Sequence, residues 1–206
     1  MSVALVESIR IEGGQLQLLP LHEARMLRTL GELAPEGRLL TMLKQRGLFV
    51  LLEAYLPEHL PEARTKLRFV YGADTMEPPT LTPYQPREIG CIRPVSLPDG
   101  ASYRHKWLDR SVLVRPEALA TDEEPLYVVA GRITDTSYTN VALRIGGLWR
   151  TPASPLLAGV MRAHLLEQGL ILPEVLTPDD LERADAIRLF NAMMPLEDCI
   201  EINLSH

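Results

Sequence analysis

No apolar run in this chain is long: Leu48 to Leu52 is typical of the longest, whereas a membrane-spanning helix needs about 20 such residues in succession. The apolar residues must therefore be buried by packing short elements, and Gly-Gly pairs and prolines mark where those elements end. The 206 residues allow one domain or two small ones. The start, Met1 to Glu7, carries no basic stretch before its apolar residues and meets an acid at once, so no secretory or transit signal is expected and the cytoplasm is the expected compartment.

Charge narrows the partners. With 21 basic against 27 acidic residues, a net charge of -6 and no basic run, the chain lacks the clustered positive footprint of a nucleic-acid surface. Cys91 and Cys199 are too few for a disulfide framework and lack zinc-site spacing, so no metal is expected and both are read as small buried hydrophobes. Lysine is scarce: only Lys44, Lys66 and Lys106 are present, and chemistry that needs an amine nucleophile has just these three candidates.

Val3 to Ile11, the turn pair Gly13-Gly14 and Gln15 to Leu19 predict an opening β-hairpin. Helices are predicted from Leu21 to Leu33, from Arg38 to Gln45 closing at Gly47, and from Leu48 to Leu56. Strands are predicted at Lys66 to Tyr71 and Ile89 to Val95, with Pro78 to Pro86 as loop or edge strand. Further strands are expected at Leu126 to Ala130, Asn140 to Ile145 and Leu148 to Thr151, the last two joined by a Gly146-Gly147 turn. A helix from Pro155 to Gln168 closes at Gly169, Thr177 N-caps a short helix to about Ala184, and strands Ala186 to Phe190 and Cys199 to Leu204 end the chain. The whole reads as α+β in two halves, residues 1–98 and 106–206, with 99–105 as the linker.

Three segments could carry chemistry. In Leu21-His22-Glu23-Ala24-Arg25-Met26, Arg25 lies in the first turns of a helix, where the helix dipole disfavours a cation unless an anion is close. Arg25 is thus either an anion ligand or a solvated or salt-bridged surface arginine, and His22 reads as a capping or core-edge histidine. In Tyr103-Arg104-His105-Lys106-Trp107-Leu108-Asp109-Arg110, neighbouring cations and burial would favour the neutral amine of Lys106, making it a usable nucleophile or base; the alternative is a surface linker lysine. Lys44, on the polar side of a helix, and Lys66, beside inward Leu67 and Phe69, suit that role less well. In the third segment, Ile133-Thr134-Asp135-Thr136-Ser137-Tyr138-Thr139-Asn140-Val141, the six small or polar residues between two strands could be a plain loop. The segment continues through Trp149-Arg150-Thr151-Pro152 to Gly159-Val160-Met161-Arg162, where free backbone N-H groups at a helix start can receive phosphate.

Taken together, and in this order from Glu7-Ser8-Ile9-Arg10 to Asn191-Ala192-Met193-Met194-Pro195, these motifs resemble the class IV family of pyridoxal-phosphate (PLP) enzymes, of fold type IV. That family comprises branched-chain and D-amino acid aminotransferases and aminodeoxychorismate lyases. The resemblance implies a two-domain α+β fold with a shortened N-terminal part and most of the cofactor site in the C-terminal half. It implies that Lys106 forms the Schiff base with PLP and shuttles the proton, and that Arg25 of the His-x-x-Arg motif binds the phosphate with the backbone amides of Val160 and Met161. Asp135 would pair with the pyridinium nitrogen, although the family usually has glutamate there. Asn140 joins the cofactor-binding set, and Asn191 and Ala192 the substrate-binding set.

Within the family, Gly159-Val160-Met161-Arg162 and Asn191-Ala192-Met193-Met194-Pro195 look more like the lyases, because the aminotransferases tend to place phosphate-contacting threonines near Met161 and Ala192. The implied reaction converts 4-amino-4-deoxychorismate to 4-aminobenzoate and pyruvate for folate synthesis, in a homodimer. The alternatives are an aminotransferase for branched-chain or D-amino acids and a cofactor-free, non-catalytic binding protein.

Overall fold

The computed structural model describes residues 4–204. They form two compact units: the described residues up to Gln85 with His105–Asp109, and Pro86–Arg104 with the residues from Arg110 onward. The expected division at residues 98 and 106 differs from this one. Residues 86–98 group with the second unit, and His105–Asp109 return to the first because Val6 N-H donates to the Lys106 carbonyl and Leu108 N-H to the Ala4 carbonyl, both at 2.9 Å.

The first unit is a four-stranded antiparallel sheet with two helices. Strands β1 (Leu5–Glu12) and β2 (Gln15–Leu16) form the expected hairpin across Gly13 and Gly14, whose φ values of 58° and 67° suit the tight primed turn that only glycine enters freely. Val3, expected in the first strand, lies outside the described residues. β1 pairs along its length with β3 (Thr65–Tyr71), and β3 with β4 (Thr80–Pro83), so the proline-rich segment is an edge strand. Helix α1 (Leu19–Leu33) buries His22, Arg25, Met26, Thr29 and Leu30, a single stripe at i, i+3, i+4, i+7 and i+8. α2 (Arg38–Glu53) contains the expected interruption: Gly47, at φ 76° and ψ 161°, breaks it into two stretches, and the second is capped where Leu48 N-H donates to the Glu23 carboxylate at 2.7 Å. Apolar residues of β1 and β3 (Leu5, Ile9, Leu67) pack with Leu30 of α1 and Leu43 and Leu52 of α2 to form its core.

The second unit holds two sheets. One has the order β5 (Cys91–Ser96), β6 (Glu123–Val129) and β7 (Arg132–Thr136). The other comprises β8 (Asn140–Ile145), β9 (Leu148–Pro152), β10 (Leu172–Glu174), β11 (Ala186–Phe190) and β12 (Ile200–Asn203), in the order β10-β9-β8-β11-β12. Helices α3 (Val160–Glu167) and α4 (Asp180–Arg183) complete it.

Several expectations are corrected here. Thr134–Thr136, part of the stretch read as a possible loop, are strand: a tight turn at Ala130 (φ 48°) and Gly131 (φ 73°) folds them back on β6, and the Thr134 hydroxyl donates to the Tyr127 carbonyl at 2.9 Å. α3 begins at Val160 rather than Pro155, because Leu157 gives its N-H and its C=O to side chains of β7 and β8. Leu172–Glu174 pair in parallel with β9, a long-range match that short apolar runs do not announce. Thr177 does not cap α4; its N-H and hydroxyl both donate to the Asp180 carboxylate. Cys91 and Cys199 are free and partly exposed rather than buried.

Candidate active site

Strand periodicity places Glu7 in the same row as Leu5, Ile9 and Ile11, all fully buried. A carboxylate there must be paired, and the partner lies on the buried stripe of α1. Arg25 donates from Nε to Glu7 Oε1 at 2.8 Å and from Nη2 to Oε2 at 2.5 Å, a bidentate fork, while His22 Nδ1 lies 2.7 Å from Oε2. Burial by itself would raise the Glu7 pKa, but the Arg25 charge and the bonds from His22 and Arg25 hold it down at about 2. Burial lowers the pKa of His22; Glu7 opposes the shift, and the charges of Arg25 and Lys106 add to it. The ring is therefore neutral with Nδ1-H donating to Glu7, and its buried Nε2 has no hydrogen-bond partner among the described residues.

Lys106 is half-buried, and β1 holds its backbone: Val6 N-H binds the Lys106 carbonyl, and Trp107 bridges to Leu5. One strand thus places Glu7 and, through the backbone, Lys106, whose charge His22 feels. His105 meets the Trp107 ring edge-on at 5.8 Å, and its Nε2 lies 3.6 Å from Glu32. Lys44 is exposed, as expected.

In the second unit, Asp135 on β7 is buried and both its oxygens are occupied. Oδ1 accepts from Asn140 Nδ2 at 2.7 Å and Oδ2 from the Leu157 N-H at 2.7 Å. Burial pushes its pKa up to about 7, against those two donors and the charge of Arg162. Arg162 is itself buried, donating from Nη2 to the Pro152 carbonyl at 2.8 Å. Val160 and Met161 open α3 with their side chains in the core, and no side chain caps the helix at Gly159. Asn191 shapes a turn: its Nδ2 donates to the Tyr138 carbonyl at 3.2 Å and its Oδ1 accepts from Met193 N-H at 2.8 Å, with Ala192 half-buried beside it.

The structure therefore brings Arg25 and Lys106 together within the first unit, and Asp135, Asn140, Val160 and Met161 together within the second. Sequence reasoning overlooked Glu7, although an acid in an otherwise apolar alternating row was its signal. It also overlooked Leu157, whose role is played entirely by backbone atoms and leaves no trace in side-chain identity.

Comparison with known proteins identifies the family and the fold. The family model described as amino-transferase class IV matches residues 49–202. An uncharacterised protein of Haemophilus influenzae is 32% identical over 190 residues, covering 92% of this chain and 97% of that one. Among solved structures, a protein of Haemophilus somnus 129PT provisionally named 4-amino-4-deoxychorismate lyase is 29% identical, with a TM-score of 0.76 over 94% of this chain and 98% of that one. The PLP-bound form of a hypothetical aminotransferase from Mycobacterium tuberculosis shares the fold, at 18% identity and a TM-score of 0.68 over 97% of this chain and 80% of that one. The fold is thus that of the fold type IV enzymes, and the chain is an enzyme belonging to aminotransferase class IV.

Proposed function

We propose that this enzyme binds PLP and converts 4-amino-4-deoxychorismate to 4-aminobenzoate and pyruvate. The reading is supported by the residue types within each unit: in the first an amine at Lys106, and in the second a buried carboxylate at Asp135 and a helix start at Val160 and Met161 that no side chain caps. When bound, PLP supplies an aldehyde for the substrate amine and a protonated ring that accepts an electron pair. Lys106 Nζ holds the cofactor and then takes the proton from the substrate carbon that bears nitrogen. Asp135 keeps a proton on the ring nitrogen, and the α3 amides orient the phosphate. Arg25, the cation that the resemblance assigns to the phosphate, is held within the first unit by its bidentate pairing with Glu7. Loss of that carbon-bound proton and cleavage of the enolpyruvyl C-O bond leave an aromatic ring, and pyruvate departs.

The observation that favours a lyase is the absence of side-chain hydroxyls at Met161 and Ala192. The Met161 side chain is packed in the core, so this position offers phosphate only its backbone amide, which suits an enzyme that never releases the aminated cofactor between half-reactions. The reading includes a small amino substrate, a symmetric homodimer and a cytoplasmic location. Purified enzyme with PLP should form 4-aminobenzoate and pyruvate in equal amounts without a keto-acid acceptor, and Lys106→Ala should abolish both turnover and the visible absorbance of the bound cofactor. Rapid amino exchange between leucine or D-alanine and 2-oxoglutarate, with no 4-aminobenzoate formed, would replace this reading with an aminotransferase.

A further inference from the structure

Asn140 was expected to bind cofactor, but its amide is committed elsewhere. One Nδ2 hydrogen goes to Asp135 Oδ1 at 2.7 Å and the other to the Leu157 carbonyl at 2.9 Å. The Leu157 N-H returns to Asp135 Oδ2, so carboxylate, amide and one backbone residue close a ring of hydrogen bonds. The remaining amide atom, Oδ1, lies where a side chain at Gly159 would begin: a Cβ there would sit 2.0 Å from it. Gly159 has an ordinary extended backbone (φ -68°, ψ 151°), so the glycine is required by this close approach and not by backbone conformation.

We propose that Asn140 is a positioning residue that locks the Asp135 carboxylate to the start of α3, and that Gly159 is the matching half of the lock. Its purpose, to hold the ring-facing acid and the phosphate-facing amides at one fixed separation, rests on the function proposed above; the lock itself is independent of it. Aspartate is one methylene shorter than the family's usual glutamate, which leaves this carboxylate little reach of its own. A fixed separation would matter for a ligand carrying a ring nitrogen at one end and a phosphate at the other, and little for a ligand lacking the phosphate.

The test uses Asn140→Ala, Gly159→Ala and the double variant, with circular dichroism confirming that each is folded. In cofactor-free protein, Gly159→Ala should melt well below wild type, whereas the double variant should lose less than the sum of the single losses, because removing the amide vacates the space the new methyl needs. Strictly additive losses overturn the lock. In binding, Asn140→Ala should reduce the preference for PLP over pyridoxal about tenfold, the worth of one misplaced charge-assisted contact, while a merely structural role would weaken both ligands alike. An unchanged preference overturns it as well. If wild type binds neither ligand, the proposed function fails on its own, and the melting cycle still decides for or against the lock.

Discussion

A carboxylate on the apolar face of a strand needs a counter-charge within reach, and for Glu7 this is Arg25, 18 residues on. Arg25→Ala would leave a fully buried charge unpaired, so chemical denaturation should show a loss of about 3–5 kcal/mol. Cofactor affinity of that variant therefore has to be measured on its folded fraction. The two buried carboxylates respond to pH in opposite directions. Glu7 falls from 4.5 to about 2 on folding, so its stabilisation is complete above pH 4.5 and is lost as pH drops towards 2. Asp135 rises from 3.8 to about 7, so cofactor-free protein should lose stability as pH climbs between those values. Asp135→Asn cannot ionise, and its melting temperature should no longer decline over that interval. If the decline persists in the variant, another group is responsible. On the proposed function, the same substitution would also remove the charge that favours a protonated ring nitrogen, so the variant should retain bound PLP yet lose most turnover.

The elements of the first unit act as holders. β1 carries the Glu7 acid and hydrogen-bonds the Lys106 backbone, so the chemistry of this unit depends on a single strand's pairing. α1 presents His22 and Arg25 on the same stripe as Met26 and Leu30, and α2 is docked beside it through the Glu23 cap on Leu48. At Gly47 the positive φ that joins the two stretches of α2 leaves room for a methyl, with Glu23 Oε2 at 3.5 Å from a built Cβ, so the cost of substitution is conformational. At φ 76° and ψ 161°, a region that only glycine occupies readily, Gly47→Ala should lower stability by about 1–3 kcal/mol without touching the site. Thermal denaturation monitored by circular dichroism checks this, and an unchanged midpoint would mean that the two stretches can realign.

At the scale of the whole molecule, each unit has its own core, and no helix among the described residues is long and apolar enough to cross a membrane. The proposed lyase should sediment and scatter light as a dimer, at twice the chain mass, with activity lost on dilution into monomer. A fully active monomer would remove the homodimer from the reading while leaving the proposed chemistry untouched.

What the sequence determined by itself is local. Gly13-Gly14 and Gly146-Gly147 mark turns because only glycine enters their backbone region freely, and the short, mostly apolar runs of Asn140–Ile145 and Ala186–Phe190 are a property of six and five consecutive residues. The order of the motifs was equally legible, and with it the family. The tertiary structure decided the pairings. Whether Arg25 is a surface cation or the partner of a buried acid depends on which strand packs under α1, and that choice is made across 18 residues. Where α3 begins was also settled at long range: Pro155 to Gln168 carries a helical pattern, but Asp135 and Asn140, each 17 or more residues away, take the N-H and C=O of Leu157. In a helix begun at Pro155 the Leu157 C=O would accept from the next turn, while its first-turn N-H would have no partner within the helix; hydrogen bonding is a competition, and for that C=O the winning donor came from another strand.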